Sequence, residues 1–207
     1  MAYLYPDAVI QVFCKAPIAG QVKTRLMPEL SATEALAVHQ LLTKRTLDLV
    51  CGHSLCPVQL WCSPSVDHPF FIEASRHYAL ELNEQCSGDL GQRMLHAMTE
   101  ACKNFQAALL IGCDCPSFSL KDFTSAIAAI RGEHDCVLAP TEDGGYSLIA
   151  LKRPWAELFT DLPWGGSTVL AETRLRIERL QLRYYPLAMQ WDVDVYADYL
   201  RLLPLLH

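Results

Sequence analysis

Three cations and a hydroxyl fall within eleven residues near the start of the chain: Lys15, Lys23, Thr24 and Arg25, on a segment that also carries Pro17 and Gly20. Ammonium and guanidinium groups neutralise phosphate oxygens, and a glycine lets the backbone come close to them, so this stretch reads as a grip on a di- or triphosphate. A solvated basic loop is the plain alternative. Two facts favour phosphate: the segment follows an apolar run directly, and the chain as a whole is acidic, with 17 Lys and Arg against 23 Asp and Glu. The spacing matches neither Gly-x-x-x-x-Gly-Lys-Ser/Thr nor Gly-x-Gly-x-x-Gly, so a Walker loop and a dinucleotide fingerprint are both excluded.

The carboxylates are the second chemical resource. Asp114, in Gly112-Cys113-Asp114-Cys115-Pro116, ends the most apolar run of the chain, where it can hold a hard divalent cation, Mg2+ or Mn2+, against substrate phosphates or serve a local turn. A metal commonly takes a further carboxylate from elsewhere, and Trp191-Asp192-Val193-Asp194-Val195 offers two. Only one of Asp192 and Asp194 is expected to face the site if this segment is extended, and Asp194 is equally placed to cap the last helix. Asp143, with Gly144, Gly145 and Tyr146, suits a tight reversal. The glycines would also admit a sugar or phosphate, and Asp143 could bind a substrate hydroxyl or act as base.

Two helix starts complete the set. Gly88, Asp89 and Arg93 stand at a capped start whose free N–H groups and guanidinium could read a base or phosphate. Trp164, Gly165 and Gly166 lead into Ser167, which is expected to cap a helix and expose N–H groups to an acceptor anion. The histidines show no paired spacing and are expected at the surface or in satisfied structural roles. Nine cysteines, an odd count without any Cys-x-x-Cys, argue against zinc. Cys14, Cys62, Cys113 and Cys136 are expected as small apolar fillers in or beside buried strands.

Positioning such residues calls for strands that end beneath them. Strands are predicted over 8–14, 58–62, 78–82, 107–112, 136–140, 146–151 and 182–186. Helices are predicted over 31–50 (capped by Ser31 with Glu34), 67–77, 89–104, 119–131 (capped by Ser119), 167–180 and from 195. Strands alternating with helices imply a three-layer α/β/α chain with a mixed, mostly parallel sheet, and the reversal at Asp143 breaks the parallel order. Without repeats or linkers, residues 1–207 read as a single domain. The formal charge of −6 argues against nucleic acid as a partner. No apolar run is long enough for a membrane span, and the first residues lack the order of a signal peptide, so a cytoplasmic location is expected. Leu200 to Leu206 is either a last core helix or part of a contact between copies.

Taken together, Lys15-x-Pro17-x-x-Gly20-x-Val22-Lys23-Thr24-Arg25-Leu26, Gly88-Asp89-Leu90-Gly91-Gln92-Arg93-Met94, Gly112-Cys113-Asp114-Cys115-Pro116, Asp143-Gly144-Gly145-Tyr146, Trp164-Gly165-x-Ser167 and Asp192-x-Asp194 resemble small bacterial glycosyltransferase-like members of the nucleotide-diphospho-sugar transferase superfamily. The likeness extends to phospholactate guanylyltransferase and the molybdenum-cofactor nucleotidyltransferases. It implies a GT-A fold, phosphates held by the first loop, Asp114 as metal-binding aspartate and Asp194 as second ligand. It also implies a nucleotide-sugar or nucleoside triphosphate donor and a small-molecule acceptor. Two departures leave the donor open: the Gly-rich Ala-Ala-Gly opening of many nucleotidyltransferases is missing, and Asp114-Cys115-Pro116 stands where glycosyltransferases commonly carry Asp-x-Asp. A non-catalytic nucleotide sensor using the same site is the reading from another class.

Overall fold

The computed structural model describes residues 2–206. Its strands are β1 (Ala8–Lys15), β2 (Val58–Ser63), β3 (Glu81–Glu84), β4 (Ala107–Ile111), β5 (Cys136–Pro140), β6 (Tyr146–Leu151) and β7 (Tyr184–Pro186). Its α-helices are α1 (Ala32–Cys51), α2 (Pro69–Tyr78), α3 (Leu90–Ala101), α4 (Leu120–Arg131), α5 (Val169–Arg179) and α6 (Tyr196–Leu202), with short 3-10 turns at Thr24–Leu26, Ala156–Leu158 and Leu203–Leu206. The seven strands form one sheet in the order β3-β2-β1-β4-β6-β5-β7. All neighbours are parallel except β6, which runs antiparallel to both β4 and β5. The reversal at Asp143 is the hairpin that turns β6 over, as its Asp-Gly-Gly composition predicts.

Alternation along the strands assigns the faces. Ile10, Val12 and Cys14 of β1 pack with Leu47 and Val50 of α1, Phe71 of α2 and Phe123 and Ile127 of α4. The opposite face, with Val9, Ala108, Leu110 and Leu138, packs with Met94 and Met98 of α3 and Ile177 of α5. β4, central and covered on both sides, has no exposed residue, which is why it reads as an unbroken apolar run. The sandwich is therefore three-layered, as expected. No described helix is long and apolar enough to cross a membrane.

Helix starts follow their capping residues. Ser31 Oγ accepts from the Glu34 N–H while Glu34 returns a bond to the Ser31 N–H. Asp89 and Gln92 do the same at α3. Several boundaries differ from expectation: α3 ends at Ala101 rather than Asn104, and β7 begins at Tyr184 rather than Leu182. α2 starts at Pro69 rather than Asp67, because proline lacks an N–H and fits the first helical position, with His68 Nδ1 accepting the next N–H. It runs through Tyr78 and stops where Ala79 turns left-handed (φ 51°), so β3 begins at Glu81 rather than Tyr78. α5 starts at Val169 behind Thr168, and Ser167 makes no cap.

A third apolar cluster lies at the strand ends. Leu26, Ala35, Val38, Leu42, Trp191, Val193 and Leu202 join α1, the first loop, the Trp191 segment and α6. Full burial of a leucine such as Leu26 contributes roughly 1.5–3 kcal/mol, enough to pin the cationic loop beside the C-terminal segment. Leu202 is buried here, whereas Leu200, Leu203, Leu205 and Leu206 are exposed, so the tail is a core helix on one face only.

Candidate active site

A cavity of about 520 Å3 opens at the carboxyl ends of β1 and β4, the place where open α/β sheets take their ligands. Its floor is ionic. Lys23 follows the end of β1 at φ 48°, an uncommon left-handed conformation for a residue with a side chain, between buried Val22 and buried Leu26. Its Nζ donates to Asp114 Oδ2 at 3.0 Å and to Asp194 Oδ1 at 3.3 Å. Arg25 Nη1 donates to Asp194 Oδ2 at 2.8 Å. The Lys23 side chain is 7% exposed, against 37% and 36% for Asp114 and Asp194 and 68% for Arg25.

Asp192 and Asp194 reach Asp114 through the backbone. The Val193 N–H donates to the Asp114 carbonyl at 3.0 Å, and the Gln190 N–H to the Pro140 carbonyl, laying the segment across the ends of β4 and β5. The expectation that only one aspartate could face the site is corrected here. Residues i and i+2 of an extended segment point the same way, so Val193 enters the core and both Asp192 and Asp194 line the cavity. Nor is Asp194 the helix cap: the Asp198 carboxylate accepts from the Asp194 and Val195 N–H groups, leaving the Asp194 carboxylate to the cations.

The electrostatics follow from this crowding. Burial opposes the charge on Lys23, but Asp114 and Asp194 outweigh it and hold the ammonium above the ordinary lysine range. Burial likewise opposes the Asp114 charge, and Lys23 overcomes it, keeping the carboxyl below its usual value. Asp192 has no such cation. Burial, then the like charges of Asp114, Asp194 and Asp143, push it up to about 7. Oxygens of Asp114, Asp192 and Asp194 lie within 4.8 Å of one another. An all-oxygen group with mutual repulsion fits a hard cation such as Mg2+ or Mn2+.

Lys15, Lys23, Thr24 and Arg25 all line the cavity, whereas Pro17 and Gly20 shape the loop without lining it. Asp143 lines it and also serves its turn, its Oδ1 accepting from Thr141 Oγ1 at 2.5 Å and the Gly145 N–H at 3.0 Å. Gly145, Tyr146, Trp164 and Gly165 form part of the wall. Gly144 lies behind it at φ 90°, its Cα packed on the Ser167 backbone, so neither Gly144 nor Ser167 reaches the cavity. The N–H groups expected to greet an anion there are partly taken: those of Val169 and Leu170 donate to the Gly166 and Gly144 carbonyls. Arg93 lines the cavity, while Asp89 spends its carboxylate on the α3 cap and Gly88 sits outside the lining.

Gln85 escaped the sequence reading. It follows β3, its Nε2 donates to the Trp61 carbonyl at 2.8 Å, and its Oε1 accepts Arg93 Nη1 at 3.1 Å, aiming the guanidinium into the cavity. A polar residue just past a strand end was the available signal, hidden by the displaced β3. His39, buried, donates from Nε2 to the Lys15 carbonyl at 2.9 Å and so is a satisfied structural histidine that steadies the loop. The four cysteines named above are buried, and Cys14, Cys113 and His39 bring their ligand atoms within 4.8 Å of one another, a soft-ligand cluster that sequence spacing does not disclose.

Residues 46–166 match the model of a family described as "uncharacterized protein conserved in bacteria (DUF2064)". No curated protein matches the chain. Among solved structures, a candidate nucleotide-diphospho-sugar transferase from Desulfovibrio desulfuricans G20 is 25% identical, with a TM-score of 0.83 over 92% of this chain and 83% of its own. The 4-diphosphocytidyl-2C-methyl-D-erythritol synthase of Anaerococcus prevotii DSM 20548 is 11% identical, TM-score 0.64, covering 97% and 99%. Glucosyl-3-phosphoglycerate synthase of Mycobacterium tuberculosis, in complex with Mn2+, UDP and its product, is 9% identical, TM-score 0.53, covering 95% and 75%. At such identities the last two share the fold alone. The likeness to the nucleotide-diphospho-sugar transferase superfamily and its GT-A architecture holds.

Proposed function

The chain belongs to the bacterial family DUF2064, and from that membership and the site's geometry we propose that it is a transferase acting on nucleotide derivatives, with a nucleotide-sugar as donor and a small molecule as acceptor. The observation that carries the reading is the meeting of Lys23 and Arg25 with Asp114 and Asp194 on the floor of a cavity large enough for a nucleotide. The 25% identical transferase supports the donor class.

In this reading Lys15, Lys23, Thr24 and Arg25 bind the donor diphosphate and offset the charge that builds on it as the leaving group departs. Asp114 and Asp194, with Asp192 beside them, would hold Mg2+ or Mn2+, which supplies further charge neutralisation at the diphosphate. Arg93, aimed by Gln85, contacts the nucleotide or its phosphate. Tyr146, Trp164 and Gly165 form the wall on the acceptor side, and Asp143 orients the attacking hydroxyl or takes its proton. The nine free thiols suit a reducing compartment, the cytoplasm.

Nucleotidyl transfer is the second reading, favoured by three cations at the phosphate end, enough for a triphosphate. Incubation with Mn2+ or Mg2+ and labelled donors separates the two. Free nucleoside diphosphate supports sugar transfer, and pyrophosphate supports nucleotidyl transfer. A thermal-shift panel of nucleotides and nucleotide-sugars that moves nothing, with or without Mn2+, overturns both.

A further inference from the structure

The Lys23 ammonium occupies one oxygen on each of two carboxylates, Asp114 and Asp194, of the group that could hold a divalent ion. Asp114 Oδ2 and Asp194 Oδ1 are 3.0 and 3.3 Å from Nζ, and the second Asp194 oxygen is taken by Arg25 at 2.8 Å. Two carboxylates facing two cations are already neutral as a group. A hard cation bound through those oxygens would lie about 2.0–2.6 Å from them, a position it cannot share with an ammonium that close, and one bound through Asp192 and the other Asp114 oxygen would still meet the Lys23 charge beside it.

We infer that Lys23 is the resident counter-ion of the carboxylate cluster and the residue that couples divalent-metal binding to phosphate binding. The inference rests on the phosphate-site reading above and gives it an internal order. Phosphate oxygens carry denser charge than a single carboxylate and enter the cavity beside Lys15 and Thr24, on the same loop. They draw the Lys23 and Arg25 side chains onto themselves and leave Asp114 and Asp194 free for the metal. The movement belongs to the side chain. The backbone of Lys23 is fixed in its left-handed conformation between Val22 and Leu26, both buried, and the Leu26 N–H donates to the Lys23 carbonyl at 2.9 Å. By linkage, phosphate tightens the metal by the same factor that metal tightens phosphate. Lys23 acts on the metal only through the carboxylates, so toward it Lys23 is a positioning residue.

The test is titration of the full chain with Mn2+, reading free Mn2+ by electron paramagnetic resonance, for wild type, Lys23→Met, Lys23→Arg and Arg25→Met. Without nucleotide, Lys23→Met is expected to bind Mn2+ roughly tenfold tighter than wild type, Arg25→Met to gain less, and Lys23→Arg to stay close to wild type. A merely structural lysine would lower metal affinity when removed, or leave it unchanged. Saturating UDP, CDP or GDP, whichever gives a thermal shift, should tighten Mn2+ in wild type after allowance for the metal held by free nucleotide, and add little in Lys23→Met. Equal or weaker Mn2+ binding by Lys23→Met overturns the inference and leaves the donor site standing. No Mn2+ binding by any variant overturns both the inference and the metal in the proposed function. Should Lys23→Met fail to fold, Arg25→Met, altered at a side chain 68% exposed, carries the same sign of test.

Discussion

The backbone N–H of Val193 donates to the carbonyl of Asp114 at 3.0 Å, joining residues 79 positions apart and bringing three aspartates to one floor. The Val193 side chain, fully buried with Leu26 and Leu202, holds that bond in place. Val193→Ala is therefore expected to cost roughly 1–3 kcal/mol, read by urea denaturation, as is usual for trimming a buried aliphatic side chain. It should also weaken Mn2+ binding several-fold, because Asp192 and Asp194 lose their fixed position, and wild-type Mn2+ affinity in this variant would refute the link.

Asp114→Asn keeps shape and hydrogen-bonding capacity but removes charge. Lys23 keeps Asp194 as a partner, so the fold should survive, visible as an unchanged circular dichroism spectrum. Turnover should fall by at least about 100-fold, the usual scale for losing one preorganised electrostatic group at a reacting centre. An Asn variant with near-normal initial rates would remove Asp114 from the site.

Asp192 makes the metal-free protein pH-sensitive in a defined direction. Its folded-state pKa, about 7, lies above that of the unfolded chain, so between roughly pH 4 and 7 the native state holds a proton that the unfolded state has released. That contribution is present at low pH and is lost as pH rises through 7. In EDTA, the stability of wild type relative to Asp192→Asn should decline across this window by about 1 kcal/mol after discounting for partial exposure, or roughly 2–4 °C in melting temperature. A difference that is flat from pH 5 to 8 would contradict it.

The legible part of this site lies where chemistry and strand ends coincide. Lys15 ends the apolar run of β1, Asp114 closely follows that of β4, and Lys23 and Arg25 lie on the loop that leaves β1, so charged residues beyond buried strands point to the cavity before any contact is known. The Asp192 and Asp194 pair was legible too, once the period of two is applied strictly: Val193 between them is the residue that turns inward. Gln85 was hidden because β3, Glu81–Glu84, carries almost no apolar signal and α2 extends through the segment expected to be strand. Ser167 has the residue type of a cap, yet its backbone packs on Gly144 of the β5–β6 hairpin and the helix starts at Val169. Tertiary contact overrides local preference at such positions.

Gly91 tests how much the cavity wall depends on close packing. It lies in the first turn of α3, where alanine should by propensity be better by about 1 kcal/mol. A Cβ there would meet the backbone carbonyl of Phe159 and come within 2.5 Å of Trp164 Nε1, which itself donates to that carbonyl at 3.2 Å. A backbone carbonyl cannot rotate aside, so overpacking of roughly 1–3 kcal/mol outweighs the propensity gain. Gly91→Ala is thus expected to destabilise the chain slightly and to push the Trp164 segment outward. The functional reading is a several-fold rise in donor or acceptor KM with kcat little changed, since Trp164 lines the wall while the ionic floor is built by Lys23, Arg25, Asp114 and Asp194. A variant more stable than wild type, with unchanged KM, would mean that the wall yields without consequence and that Trp164 takes no part in binding.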